Sequence, residues 1–380
     1  MSAYLISVVT VGAITAILCL GVNVSWGWAG QLDLAFYVYV ALGAYFAAVL
    51  ELPKSKPQAE LNYSYILGLR WPFVLAVIGA SAAGAAASCV VGYLALRRIR
   101  SDYIAIITVV TALIATAVLG QDAGIFGGQI GVYGLNQPFN SVLKLQPNGY
   151  SYFYMGFMLA CLAGTYGVVE LLYRSRFGRS LRAVREQETA AAAFGRNLFS
   201  LRLRAYILGG TIGAFGGALY VNYLSAWNPS SWSIFEVVLI LSGVVVGGRG
   251  NSLGVIVGSA LVLSALPEIT RLVPVFGHGS SSGPAIEALL SSLLIILILR
   301  FRPLGLLPER KTTIGAAVGA SGTTITTSDP AASSTTIATS DNAAASAATA
   351  VGTPRTAGEP ENPSRPCDDA EAPTRQAGLP

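Results

Sequence analysis

Long apolar runs, separated by short polar or glycine-rich stretches, dominate the first 300 residues of the chain. Most runs contain about 18–25 residues, the length that an α-helix needs to cross a bilayer. Apolar and polar positions do not alternate inside the runs, so the pattern excludes a membrane β-barrel. Helices satisfy their own backbone hydrogen bonds, as a lipid environment requires. The pattern predicts about nine spans: 4–24, 34–50, 71–96, 103–119, 151–173, 205–224, 234–246, 253–272 and 284–299.

The composition supports the same class of protein. The mean hydropathy is +0.59, 53% of the residues are hydrophobic and only 11% are charged, which is far from the balance of soluble domains. The first apolar run has no basic stretch before it and is too long for the core of a signal peptide, so we expect it to be retained as a span. The predicted fold is an all-α integral membrane protein, with a polytopic bundle of about 8–10 helices in a transmembrane domain at 1–311.

Residues 312–380 have a different composition, rich in Ala, Thr, Ser, Pro and Gly and without apolar periodicity. Such a segment buries too little surface to offset its ordering entropy, so we expect a disordered, low-complexity cytoplasmic tail. The tail holds three arginines and seven acidic residues, a net charge of −4, which leaves +9 on residues 1–311. The membrane part is therefore clearly basic.

Basic residues occur in clusters, and such clusters mark the cytoplasmic side of a membrane protein. The clusters fall at 97–100, 174–204, 249 and 300–311. They share one side if the spans alternate from residue 71 onward, which predicts a cytoplasmic C-terminus. The loop at 51–70, with three basic residues, is an exception. The N-terminus lies outside under strict alternation, but a re-entrant break in SWGWAGQLDL (25–34) changes that parity, so both placements stay open.

The densest cluster, 174–204, carries eight arginines and also a periodic apolar stripe. Phe177, Leu181 and Val184 recur at i, i+4 and i+7, which predicts one face of a short helix. Four alanines at 190–193 follow, and Gly195 suits the position just past a helix end. A solvated basic loop near lipid headgroups explains the arginines alone. A short helix that docks a cytoplasmic partner explains the arginines, the stripe, the alanines and the glycine together.

At this point the residues resemble a known family. SRFGRSLRAVREQETAAAAFGRN (175–197) is similar to the cytoplasmic coupling loop of the branched-chain amino-acid ABC transporter permeases of the LivM type. Ala192, Thr189, Asp33 and Arg249 depart from residues that are usual in that family. Six further segments resemble family elements in the same order: GWAGQLDL (27–34) with ALGAY (41–45), LALRRIRSDYIAIITV (94–109), FGGQIGVYGL (126–135), YVNYLSAWNPSSWSIFEVV (220–238), VVVGGRGNSLGVIVGSALV (244–262) and RPLGLLP (302–308).

The resemblance implies the permease subunit of a binding-protein-dependent importer for branched-chain or other neutral amino acids in the cell inner (plasma) membrane. It implies as partners two cytoplasmic ABC ATPase subunits, a second homologous permease, an extracytoplasmic substrate-binding protein and membrane lipid, but no nucleic acid. It also assigns contact with the ATPase to residues of the coupling helix near 179–195: Arg179, Arg182, Arg185, Glu186, Glu188, Ala190, Ala191 and Gly195.

Polar residues inside apolar spans are costly and therefore informative. Asp33 and Glu236 are the most unusual of them, although each also fits a headgroup boundary. A glycine-rich break such as 27–33 exposes backbone dipoles, which membranes tolerate only against protein or a water-filled path. We therefore expect it to line the substrate pathway, whose tentative residues are Gly30, Gln31, Asp33, Gly127, Gly128 and Glu236.

The sequence contains little that suggests catalysis. GGRGNS (247–252) lacks the GxxxxGK[ST] pattern of a phosphate-binding loop, so we expect a transport subunit without its own ATPase site, and no cofactor. A single histidine, His278, and four cysteines without CxxC spacing offer no metal site. Urea or a short amide is the rival cargo. An ion-driven secondary transporter that uses Asp33 or Glu236 is a rival mechanism, and a membrane-embedded enzyme is a more remote alternative.

Overall fold

The computed structural model of the chain describes residues 2–53, 68–97, 103–121, 131–135, 138–139, 147–228 and 234–268, with short pieces at 289–290, 292–293, 296–297, 300–302 and 305–307. The predicted disordered tail after residue 311 lies outside these residues. So do the basic pair in the loop at 54–67, His278, and the tentative pathway residues Gly127 and Gly128.

Helices account for most of the described chain, and the prediction of an all-α polytopic membrane protein is confirmed. Five helices are long and apolar enough to cross a bilayer, and three apolar helices are shorter. Helix bounds in chain order are α1 Ser2–Val22, α2 Phe36–Glu51, α3 Phe73–Arg97, α4 Ile104–Gln121, α5 Pro147–Arg174, α6 Arg176–Glu186, α7 Glu188–Ala193, α8 Leu198–Leu224, α9 Ile234–Gly247 and α10 Ser252–Ser259.

Two π-helices extend this set. α1 continues into a first π-helix, Asn23–Trp28, so that one apolar span reaches from Tyr4 to Trp28. α10 continues into a second π-helix, Ala260–Ala265. The widened turns of π-helices recur at functional sites. The first π-helix overlaps the start of segment 27–34 and the second overlaps the end of segment 244–262, both of which resemble the transporter family.

The contacts at the ends of the helices fix the topology. Ser7, near the start of α1, hydrogen-bonds Tyr223, near the end of α8, at 2.6 Å. At the other end of the first span, the guanidinium of Arg249 lies 5.0 Å from the centre of the Trp26 ring. The start of α1 therefore lies opposite the arginine clusters, so the first span runs toward the basic residues. We call the end that holds Arg97, the 174–204 segment and Arg249 the basic end.

Helix α2 lies at the centre of the bundle and packs closely on α8. A methyl group at Gly43 would overlap the backbone of Ala214, and one at Gly217 would overlap the carbonyl of Val40. Gly217 thus lies on the face of α8 that packs against α2. Small residues here let two helix backbones approach within contact, which is how membrane helices associate when lipid offers no hydrophobic drive.

The outer helices α3, α4 and α5 expose large apolar side chains, among them Ile78, Leu113 and Leu171. In a bilayer such faces contact lipid or a neighbouring subunit. At the end opposite the basic end, strand β1 (Val132–Tyr133) pairs antiparallel with strand β2 (Ala226–Trp227). The indole of Trp227 donates a 3.1 Å hydrogen bond to the carbonyl of Ala41 and so joins this ribbon to α2.

Candidate functional site at the basic end

Helix α6 lies against the bundle through the predicted apolar stripe. Its N-cap is Ser175, whose hydroxyl accepts a 3.5 Å hydrogen bond from the Gly178 amide. Leu181 and Val184 are fully buried. Leu181 belongs to a hydrophobic cluster that also contains Trp28 from the first π-helix, and the partly buried Phe177 packs against this cluster. The periodicity therefore identified the buried face correctly, and that face joins α6 to the end of the first span.

The predicted single helix near 179–195 is in fact two short helices, because the backbone of Gln187 is extended, with φ −146° and ψ 97°. This correction separates the arginine-rich α6 from the alanine-rich α7. The predicted glycine stop after the alanines is confirmed, since Gly195 has φ +70° just beyond the end of α7. Asn197 then caps α8, where its side-chain oxygen accepts a 3.0 Å hydrogen bond from the Ser200 amide.

Two arginines that we expected on the charged, partner-facing side of the helix are turned toward the bundle. Arg182 stacks 4.2 Å from the centre of the Tyr173 ring and donates to its hydroxyl at 3.1 Å. Arg185 donates a hydrogen bond to the carbonyl of Gly27, and its side-chain stem lies beside Gly30. The structure therefore brings the coupling segment and the glycine-rich break together, a contact that spacing alone did not predict.

The remaining residues of the predicted coupling set are divided between surface and interior. Glu188 makes a two-point ion pair with Arg202 of α8, both distances being 2.8 Å. Ala191 is buried and Ala190 is half-buried, so half of the alanine run faces the bundle. Arg179, Glu186 and Gly195 are exposed.

A residue that the sequence analysis did not single out is the most exposed large apolar side chain at this end. Phe194, between α7 and Gly195, is 85% exposed. Ala192, Ala193 and Arg196 beside it are also exposed. The sequence could have indicated this exposed residue, because Phe194 is an aromatic residue within an otherwise polar and alanine-rich segment. Together these four residues form an outward-facing patch at the tip of α7, which we call the α7 tip.

The first π-helix packs against the glycine-rich loop at 247–251. The side-chain oxygen of Asn23 accepts a 2.9 Å hydrogen bond from the Gly250 amide. It also occupies the space where a side chain at Gly27 would stand, so residue 27 has to be glycine for this contact to form. Together with the Arg249–Trp26 contact, this joins two segments that are more than 200 residues apart in sequence.

The RPLG segment completes the same end of the structure. The Leu306 amide donates to the Val246 carbonyl at 2.9 Å, and the Leu307 amide donates to the Gly247 carbonyl at 3.1 Å. Asn251 caps α10 and donates to the Leu307 carbonyl at 3.3 Å. Four of the segments that resemble the transporter family therefore meet at the basic end, around the end of the first span.

Of the tentative pathway residues of the break, Gly30 is exposed, whereas Gln31 and Asp33 are buried. Gln31 and Asp33 are each only 2% exposed. Asp33 accepts a 2.9 Å hydrogen bond from the Ala35 amide and another from the Tyr206 hydroxyl. Tyr206 in turn is 2.8 Å from the hydroxyl of Tyr39. Burial raises the pKa of Asp33 to about 7, against the opposing effect of these hydrogen bonds.

Glu236 lies far from Asp33, in the first turn of α9 and toward the opposite end of the bundle. It lines a cavity that does not include Gly30, Gln31 or Asp33. Among the described residues, the structure thus divides the predicted pathway set into a group at the basic end, in which Gly30 is exposed, and one acidic residue toward the other end.

A family described as "Branched-chain amino acid transport system / permease component" matches residues 4–299. The probable branched-chain amino acid transport permease LivM of Methanocaldococcus jannaschii is 27% identical over 290 residues, covering 74% of this chain and 81% of that protein. The high-affinity branched-chain amino acid permease LivM of Escherichia coli is 28% identical over 336 residues, covering 83% and 73%. The ribose import permease RbsC of Escherichia coli is 26% identical over 240 residues, covering 60% and 70%.

No solved structure matches the chain. The family match spans most of the sequence, and the described residues contain five membrane-crossing helices, as befits a multi-pass protein of the cell inner membrane. The chain therefore belongs to the family of branched-chain amino acid transport system permease components.

Proposed function

We infer that the chain is the permease subunit of a binding-protein-dependent ABC importer and forms part of the translocation path for branched-chain or other neutral amino acids. Family membership supports the transport role, and the names of the LivM relatives support this cargo. The related ribose permease shows that similar proteins carry different solutes. The cargo therefore has to be tested directly, with urea or a short amide as the rival.

The energy for import comes from elsewhere in this proposal. The sequence has no phosphate-binding loop of the GxxxxGK[ST] type. The partners are two cytoplasmic ABC ATPase subunits, a second homologous permease and an extracytoplasmic substrate-binding protein. Import then requires a mechanical connection between ATP turnover outside this chain and the helices inside it.

The observation that carries the proposal is the contact between Arg185 and Gly27. α6 is held to the bundle by its buried stripe, and Arg185 joins it to the carbonyl of the first π-helix. A movement imposed on α6 and α7 from the cytoplasm is therefore transmitted directly to the end of the first span. Rigid-body displacement of a packed helix is a common way to move a neighbouring element.

The ATPase would bind the α7 tip in this arrangement. Phe194 offers an apolar anchor, and its exposed alanine neighbours offer a smooth surround. Aromatic side chains that enter a partner's pocket contribute most of the binding energy at many interfaces. The predicted contact residues Arg179 and Glu186 are exposed on α6, and Gly195 is exposed just beyond α7.

Two measurements test this function. In proteoliposomes that contain the complete importer, we expect leucine uptake to require ATP and the binding protein. Uptake by this chain alone under a proton or sodium gradient, without ATP, would instead establish a secondary transporter. For docking, Phe194→Ala should reduce co-purification of the ATPase subunits about tenfold or more, as loss of an aromatic anchor does.

The control for the docking experiment is Leu171→Ala. Leu171 is 73% exposed but lies on the last turns of α5, within a membrane span. The Leu171→Ala variant should co-purify with the same amount of ATPase subunits as the wild-type chain. Equal recovery with the two variants would rule out the α7 tip as the docking surface.

A further inference from the structure

A cavity of about 190 Å³ lies between α1, α2, α8, α9 and the second π-helix. It is separate from the contacts at the basic end described above. Most of its wall is aliphatic, including Val11 and Leu18 of α1, Val40 of α2 and Leu263 of the second π-helix. A wall of this kind accommodates a branched aliphatic group, and the polar residues Thr15, Tyr37 and Tyr220 line the rest of the cavity together with Glu236.

Glu236 is the one charged side chain among the described residues that line this cavity. It lies in the first turn of α9, and the ring of Tyr220 from α8 lines the same cavity. A carboxylate in such apolar surroundings is costly, and intramembrane acids are therefore concentrated at solute and ion paths. Its carboxylate is partly buried and can accept charge-assisted hydrogen bonds from an ammonium group.

The cavity wall also contains a segment of irregular helix. Val262 and Leu263 belong to the second π-helix, where the backbone pattern differs from that of the α-helix before it. Gly243 of α9 faces Leu263 and Cys19, so α9 approaches α1 and the π-helix closely beside the cavity. One of the elements that enclose the cavity therefore departs from regular helix geometry.

We propose that this cavity is an intramembrane subsite for an aliphatic amino acid, in which Glu236 binds the α-ammonium group and the wall around Val11, Leu18 and Leu263 receives the branched side chain. This inference rests on the proposed import function and names the part of the chain that selects the cargo. It favours branched-chain amino acids over urea, which has neither an ammonium group nor an aliphatic side chain.

The role of the aliphatic wall is tested with two matched substitutions on α1. Val11→Phe places extra volume in the cavity, whereas Val9→Phe makes the same change on a position that is 42% exposed on the outer surface of the helix. In vesicles containing the complete importer, Val11→Phe should lower leucine uptake about tenfold relative to Val9→Phe. It should also raise the ratio of valine to leucine uptake, because the larger solute is excluded first.

This ratio is independent of how much importer each vesicle contains, so it remains informative if Val11→Phe folds less efficiently. The charge is tested with Glu236→Gln, which should reduce leucine uptake about tenfold or more, as loss of a hydrogen bond to a charged group does. Glu236→Asp keeps the charge and should retain more uptake than Glu236→Gln.

The outcomes separate this inference from the function on which it rests. If the wild-type importer takes up leucine, and Val11→Phe and Glu236→Gln match Val9→Phe in rate and in valine-to-leucine ratio, the subsite is overturned and the proposed function stands. If the wild-type importer transports urea and not leucine, the proposed cargo fails, and the subsite fails with it. Loss of leucine uptake with an altered ratio supports both.

Discussion

The contact between Arg185 and the Gly27 carbonyl allows a specific prediction about energy coupling. Arg185→Gln shortens the side chain and removes its charge, so the hydrogen bond across the junction of α6 and the first π-helix is lost. A hydrogen bond from a charged donor contributes about 1.5–3 kcal/mol, and the Gly27 carbonyl would lose this donor. Coupling free energies of about 1–3 kcal/mol correspond to factors of about 5–150.

We therefore expect Arg185→Gln to lower the number of leucine molecules imported per ATP hydrolysed by about tenfold. Membrane insertion and ATPase recovery should stay near the wild-type level, because the buried stripe and the α7 tip are untouched. The assay measures uptake and phosphate release in the same proteoliposomes. Arg204→Gln is the matched control, since Arg204 is exposed on α8 at the same end of the bundle. The reasoning is refuted if both variants import the same amount of leucine per ATP.

Two further predictions concern stability. Gly43→Ala should destabilise the purified chain by about 1–3 kcal/mol, because the added methyl group overlaps Ala214, whereas Gly164→Ala, with no atom within 4 Å, should not; equal melting temperatures would contradict this packing. The pKa of Asp33 is raised from 3.8 to about 7 by burial, so its protonated form favours the folded chain. The contribution of Asp33 to stability should therefore be greatest below about pH 4 and decline by up to about 1.4 kcal/mol per pH unit toward about pH 7. Asp33→Asn should abolish this component, and a decline of the same size in Asp33→Asn would contradict the assignment.

Much of the architecture was predictable because it depends on local composition. Apolar length gave the spans, and their ends agree with the helices to within a few residues in most cases. The main difference is at α8, which begins at Leu198 and not at 205. Arg202 and Arg204 interrupt the apolar run in the first turns of α8, so apolar length alone predicted a later start. The helix begins after Asn197, which caps it.

The candidate site was only partly predictable for a different reason. The stripe of Leu181 and Val184 is periodic, and periodicity reports which face of a helix is buried. Periodicity does not report what lies opposite that face. The sequence therefore assigned Arg182 and Arg185 to the outside, whereas Tyr173 and Gly27 bind them from the bundle side.

The sequence by itself determined that this is a helical membrane protein with an arginine-rich helix at its basic end, because span length, charge clustering and apolar period are properties of neighbouring residues. Only the tertiary structure decided which distant segments meet there. The Asn23–Gly250 hydrogen bond and the cavity beside Glu236 each join parts of the chain separated by about 200 residues. Such contacts depend on how helices pack against one another, and no local pattern records that arrangement.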